Sequence, residues 1–91
     1  MIISSVFGAE RDSYYMRLAM TQAKKAFLLD EVPVGALVVG PQGTVLSRAH
    51  NGVEKRSTQA AHAEVLAIAK AGKVLGDWRL LDCWLYVTLE P

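Results

Sequence analysis

Gly35-Ala36-Leu37-Val38-Val39-Gly40-Pro41-Gln42-Gly43-Thr44-Val45-Leu46-Ser47-Arg48-Ala49-His50 is the stretch that decides the fold. Gly35 to Val39 is a short, wholly apolar run that ends on β-branched residues, the pattern of a buried strand. In Gly40 to Gly43, Pro41 fixes φ and Gly43 is free to take φ > 0, so the four residues read as a turn. Thr44 to His50 is a second strand of mixed character. The pair predicts a hairpin with a four-residue loop.

Upstream of the hairpin, Pro33 stops a helical pattern over about Asp12 to Leu29. Tyr15, Ala19, Ala23 and Phe27 recur every four residues, with Leu18 and Ala26 beside them. Asp12 or Ser13 suits the N-cap, and Lys24 and Lys25 sit near the C-terminal end, where cations are favoured. Downstream, Asn51 to Gln59 reads as a polar loop. Ala60 to Ala71 reads as an Ala-rich helix, with Thr58 as cap and Gly72 as stop. Leu80 to Leu89 is a last strand, with Leu81, Cys83, Leu85, Val87 and Leu89 on one face and Asp82, Trp84, Tyr86 and Thr88 on the other. Helix, hairpin, helix and strand make an α/β chain, a sheet with helices packed on it.

The whole chain has 91 residues, 52% hydrophobic and 21% charged, with ten Lys and Arg against nine Asp and Glu. That length suits one small domain or part of a larger one. The apolar fraction excludes a disordered segment, and the net charge of +1 excludes a uniformly basic nucleic-acid binder. A single cysteine, Cys83, excludes an internal disulfide and points to a reducing compartment. It alternates with Leu81 and Leu85 and reads as a core thiol. No apolar run approaches the roughly 18 residues of a membrane span, and Met1 to Gly8 lacks the basic start of a signal peptide.

Two histidines are present, and one lies in Ala61-His62-Ala63-Glu64-Val65. At about 100° per residue, His62 and Glu64 stand about 200° apart around a helix axis, so they do not share a face. They can serve one bound group if the helix points its N-terminus into a pocket. There the helix dipole keeps imidazole neutral, as a metal ligand must be, and Glu64 can move protons beside the metal. Taken alone the pair is weak. A histidine at a helix start is more often solvated or capping, and a first-turn glutamate is ordinary dipole complement. His50, the other histidine, reads as a loop or pocket-rim residue.

Context sharpens the pair. Glu31-Val32-Pro33-Val34-Gly35-Ala36, His62-Ala63-Glu64 and Leu85-Tyr86-Val87-Thr88-Leu89-Glu90-Pro91 occur in this order and register. Together they resemble the cytidine/deoxycytidylate deaminase superfamily, most closely its tRNA-specific adenosine deaminase branch. The resemblance runs from about Tyr14 to Pro91.

It implies a cytidine-deaminase-like three-layer α/β/α fold, of which this chain would hold the first three strands and first two helices. Residues 1–91 are then expected to be an incomplete deaminase domain, with 1–11 an irregular N-terminal segment. The resemblance further implies a catalytic Zn²⁺ with His62 as a ligand and Glu64 as proton shuttle. Asn51 would contact the substrate nucleoside, and the backbone of Ala63 would lie against the target base. Pro91 matches the proline of a Pro-Cys-x-x-Cys segment whose two cysteine ligands would follow. With one of three ligands present, the chain as given is expected to be an inactive N-terminal portion. Two departures stand out: Asp30 where the family usually has Gly, and Ala60 where it usually has Thr.

The implied reaction converts wobble adenosine to inosine in the anticodon arm of tRNA, in the cytoplasm or an organelle, by a homodimer. Lys55 and Arg56, just before the His62 helix, could meet RNA phosphates, and Lys70, Lys73 and Arg79 could form a second cluster. Solvated surface charge explains both sets as well. Two alternatives stay open: a guanine, cytosine or nucleoside deaminase on the same fold, and a non-catalytic or subunit-pairing fragment.

Overall fold

The computed structural model describes residues 6–53 and 61–88. Its elements follow the expected order: α1 (Ala9–Leu28), β1 (Gly35–Val39), β2 (Val45–His50), α2 (Ala63–Leu75) and β3 (Trp84–Val87). The sheet order is β2-β1-β3, and β1 pairs antiparallel with both neighbours. Successive residues of the wholly buried β1 face opposite ways. Ala36 and Val38 pack with Ala49 of β2 and with Ala63, Ala67 and Ala71 of α2. Leu37 and Val39 pack with Tyr15 of α1 and Tyr86 of β3. The two helices therefore cover opposite faces, which is the α/β/α layering expected.

Small residues set the spacing. A Cβ on Gly35 would lie 2.0 Å from Ala19 O and 2.6 Å from Ala23 N, so the first residue of β1 touches the backbone of α1. The alanine stripe of α2 packs on the other face, where Ser47 Oγ of β2 donates to Ala67 O at 2.6 Å. The hairpin loop is held from α1 by the Tyr15 hydroxyl, which donates to Gly43 O at 2.7 Å. The loop runs Gly40 to Thr44, one residue longer than expected. The register jumps from Val38↔Ser47 to Val39↔Val45, which leaves Leu46 as a bulge.

The structure corrects several boundaries. α1 begins at Ala9, not Asp12, and its N-cap is Gly8 at φ 89° rather than Asp12 or Ser13. The 1–11 segment is thus helical from Ala9. Ala9, Glu10 and Arg11 are good helix formers, and Glu10 and Asp12 complement the dipole in the first turn. Phe27 is 65% exposed rather than on the buried face. Four-residue steps overshoot the helical turn by about 40° each, so three steps from Tyr15 reach the flank, and Gln22 and Ala26 take the buried positions.

α2 starts three residues later than expected and runs through Gly72 to Leu75. Gly72 lies inside the helix, its carbonyl accepts Asp77 N–H at 3.1 Å as the chain turns back, and a Cβ there would make only ordinary contacts, 3.7 Å from Asp77 O and Trp78 Cα. The left-handed stop is Gly76, at φ 69°. β3 is also shorter, because Leu80 (φ 49°) and Asp82 (φ 57°) form a tight turn before it. That turn leaves Leu81 70% exposed, not on the core face. Leu85 and Val87 face α2 and Tyr86 faces α1, as the alternation predicts. Thr58 and Ala60, with the rest of the 54–60 loop, lie outside the described residues. No helix among the described residues is long and apolar enough to cross a membrane.

Candidate functional site

His62 is not inside the first turn of α2 but caps it, with extended backbone at φ −71° and ψ 144°. Its carbonyl accepts the first intrahelical bond, from Leu66 N–H at 3.0 Å. Its imidazole makes no cap bond to its own helix. That task falls to Asn51, whose Oδ1 accepts from Ala63 N–H at 2.7 Å in a buried contact. Most N-caps act within one segment. Here the cap comes from the end of β2, and the His62 side chain is released from it.

The tether continues inward. Asn51 N–H donates to Val34 O at 3.1 Å, and Gly52 N–H donates to Ala61 O at 2.8 Å. The turn carrying His62 and Glu64 is thereby sewn to the starting end of β1. Ala61 and Ala63 are buried, while His62 and Glu64 on either side of Ala63 remain half-exposed. Because a backbone N–H must meet oxygen, the Asn51 amide orientation is fixed, with its NH₂ directed away from the helix. The result is an imidazole, a carboxylate and an amide donor around the positive end of a helix.

Among the described residues no group of three His, Cys, Asp or Glu stands together as a metal set. His62 suits one position of such a set: it is half-exposed, stands at a helix N-terminus, and its side chain makes no cap bond to that helix. The other histidine does not converge on it as a ligand pair; His50 Nδ1 lies 3.0 Å from Asn51 O. Cys83 packs against the α2-side core from the far end of β3, and its Sγ approaches Leu81 O at 3.6 Å. Burial, and then the Asp82 carboxylate, raise its thiol pKa above the usual 9.0.

Lys55, Arg56 and Pro91 lie outside the described residues. Of Lys70, Lys73 and Arg79, the last two line one groove, while Lys70 is engaged elsewhere. Lys70 Nζ donates to Arg48 O at 3.1 Å, and Arg79 pairs with Asp77 at 3.3 Å while lying over the exposed Trp78 ring. Lys73 and Arg79 share an open groove with Trp78 at the far end of α2. Sequence reasoning missed the Asn51–Ala63 cap. Its sequence signal was an Asn between a strand end and a helix whose own N-cap is a histidine.

The site thus joins a histidine-capped helix start, a first-turn glutamate and an asparagine from the end of the neighbouring strand, at one end of a sheet covered by a helix on each face. The chain matches the model of the cytidine and deoxycytidylate deaminase zinc-binding region over residues 9–91, and it belongs to that family. It is 49% identical over 78 residues to the tRNA-specific adenosine deaminase of Aquifex aeolicus, covering 86% of this chain and 51% of that protein. A solved structure from work on A-to-I editing by tRNA:A34 deaminases at the wobble position of transfer RNA superposes with a TM-score of 0.81. That match is at 42% identity, over 87% of this chain and 56% of the other. Guanine deaminase from Bacillus subtilis superposes at 0.79 with 38% identity, over 87% of this chain and 50% of that one. The chain spans about half the length of the curated bacterial relatives it matches.

Proposed function

We propose that the chain supplies the His62–Glu64 half of a hydrolytic tRNA adenosine deaminase that converts wobble adenosine to inosine. The observation that carries this reading is the capped helix start, where Asn51 Oδ1 holds Ala63 N–H in the turn between the half-exposed His62 and Glu64. The 49% identity to a tRNA-specific adenosine deaminase supports adenosine in tRNA as the target.

In this reading His62 is one ligand of a catalytic zinc, a site type that takes three protein ligands and keeps one position open. Such a metal supplies a nucleophilic hydroxide near neutral pH. Glu64 accepts the proton of the attacking water and delivers protons to the ring nitrogen and the departing amine. The Asn51 NH₂ donates to an acceptor on the target nucleoside, and the buried Ala63 backbone forms the floor against the base. The base must leave its stack to reach this site. Lys55 and Arg56 are proposed to meet the RNA backbone beside it. A homodimer and a cytoplasmic setting, or an organelle with its own tRNA, complete the proposal.

The second reading is a free-base deaminase, favoured by the 0.79 superposition on guanine deaminase. Protein from the complete reading frame, incubated with zinc and an anticodon stem-loop, guanine or cytidine, separates the two. Inosine formed in the stem-loop alone supports the tRNA reading. Xanthine from guanine with intact RNA overturns it. Glu64→Gln is expected to lower the rate by about 10²–10⁴-fold.

A further inference from the structure

β1 and β3 run in a register that sets Gly35 opposite Thr88 (Ala36↔Val87 is the last paired position). Thr88 N–H donates to Gly35 O at 2.9 Å, as an antiparallel ladder requires. The return bond is different. Gly35 N–H donates to the Thr88 hydroxyl at 2.9 Å, rather than to the Thr88 carbonyl that the register would offer. The same hydroxyl lies 3.5 Å from Gly35 O. A threonine side chain has thus taken a carbonyl's place in the ladder, a known way for hydroxyls to compete with sheet pairing. Thr88 is buried, and the strand ends one residue before it.

Gly35 is the residue with least freedom to adjust. Its Cα side is pressed on the backbone of α1, where no Cβ fits. Its neighbour Val34 carries Asn51 through the 3.1 Å bond, and Asn51 carries Ala63 through the 2.7 Å bond. Thr88, Gly35, Val34, Asn51 and Ala63 therefore form one continuous hydrogen-bonded rail across the end of the sheet, finishing at the turn that holds His62 and Glu64.

We propose that Thr88 is a positioning residue for that turn: its hydroxyl ends the β1–β3 ladder at Gly35 and sets, through Asn51, where His62 and Glu64 stand. The functional value of this placement rests on the deaminase reading, but the placement itself is measurable without activity. A side chain lacking the hydroxyl leaves the Gly35 N–H without its partner and loosens the rail from this end.

The test compares Thr88→Val, Thr88→Ala and Thr88→Ser in the isotope-labelled full chain by amide exchange and by the ring resonances of His62. Thr88→Val and Thr88→Ala are expected to speed exchange at both Gly35 and Ala63 at least tenfold and to move the His62 ring signals. Thr88→Ser is expected to keep both within twofold of the parent. Ala71→Gly, which loosens α2 from its other end, is expected to leave the His62 signals in place. The proposal is overturned if exchange rises at Gly35 while Ala63 and His62 are unchanged, if serine fails to restore them, or if Ala71→Gly moves them as far. A parent protein that deaminates no nucleobase, yet shows this pattern, sinks the deaminase reading and leaves the positioning role standing.

Discussion

Asn51 Oδ1 accepts the N–H of Ala63 at 2.7 Å, so a side chain at the end of β2 caps the helix that His62 begins. The cap uses one end of the amide and the proposed substrate contact the other, so substitution can divide them. Asn51→Ala is expected to cost about 1–2 kcal/mol by urea unfolding, because it removes the cap and leaves a buried N–H unmet. Asn51→Asp keeps an acceptor and adds charge complementary to the helix end, so stability is expected within about 0.5 kcal/mol of the parent. With the NH₂ lost, deamination by the complete enzyme is expected to fall at least about tenfold, the worth of a single good hydrogen bond to substrate. An Asp variant with parental kcat/KM would remove Asn51 from substrate recognition.

Tyr86 donates its hydroxyl to Asp12 Oδ1 at 2.5 Å, joining the centre of β3 to the first turn of α1. Tyr86→Phe keeps the ring packing against Tyr15 and loses a bond to a carboxylate. The expected cost is about 2 kcal/mol, read by thermal or denaturant unfolding. A loss under 0.5 kcal/mol would show that the ring, not the hydroxyl, seats α1.

Gly35→Ala places a methyl 2.0 Å from Ala19 O, backbone against backbone. α1 must move or the strand must bend, and the expected destabilisation is about 3 kcal/mol or more. Gly76→Ala, by contrast, meets no atom within 4 Å and is strained only by φ 69°. It should cost about 1 kcal/mol. Equal losses at the two sites, measured side by side, would refute the close approach.

Burial and the Asp82 carboxylate both raise the Cys83 pKa, so less thiolate is present at a given pH than for an ordinary cysteine. Iodoacetamide should label Cys83 more slowly than a free peptide thiol at pH 8.5, with the rate still climbing as pH passes 9. Asp82→Asn removes the like charge and should bring that climb to lower pH. An unchanged profile would leave burial as the sole cause.

Much of this was legible in the sequence. The Gly35–Val39 strand is found to the residue, because a short apolar run with β-branched residues, bounded by Pro33 and the Gly40-Pro41 turn, suits a strand covered on both faces. The alternation after Cys83 assigns Leu85 and Tyr86 to opposite layers correctly, for the same geometric reason. What failed was punctuation. Gly72 was taken as a helix stop, yet it lies inside α2 and the stop falls at Gly76, and spacing alone cannot tell an interior glycine from a capping one. Asp30 illustrates the reverse: an Asp stands at φ 60°, a position that its family usually gives to Gly, and the sequence showed the departure without its geometry. In the site, residue types around His62 and Glu64 were readable. The Asn51 cap and the Thr88 hydroxyl were not, since both replace backbone partners across long stretches of chain.

That reach has a bearing on biosynthesis. The Gly35–Thr88 bond closes 53 residues and the Asp12–Tyr86 bond closes 74. β1 is the middle strand, yet one of its two neighbours is β3, which leaves the ribosome after the other four described elements. The hairpin and α1 can form early from local contacts, but the apolar edge of β1 must wait unpaired for β3. Translation speed through residues 51–83 and chaperone protection of that edge should therefore govern the yield of folded protein more than the final stability does.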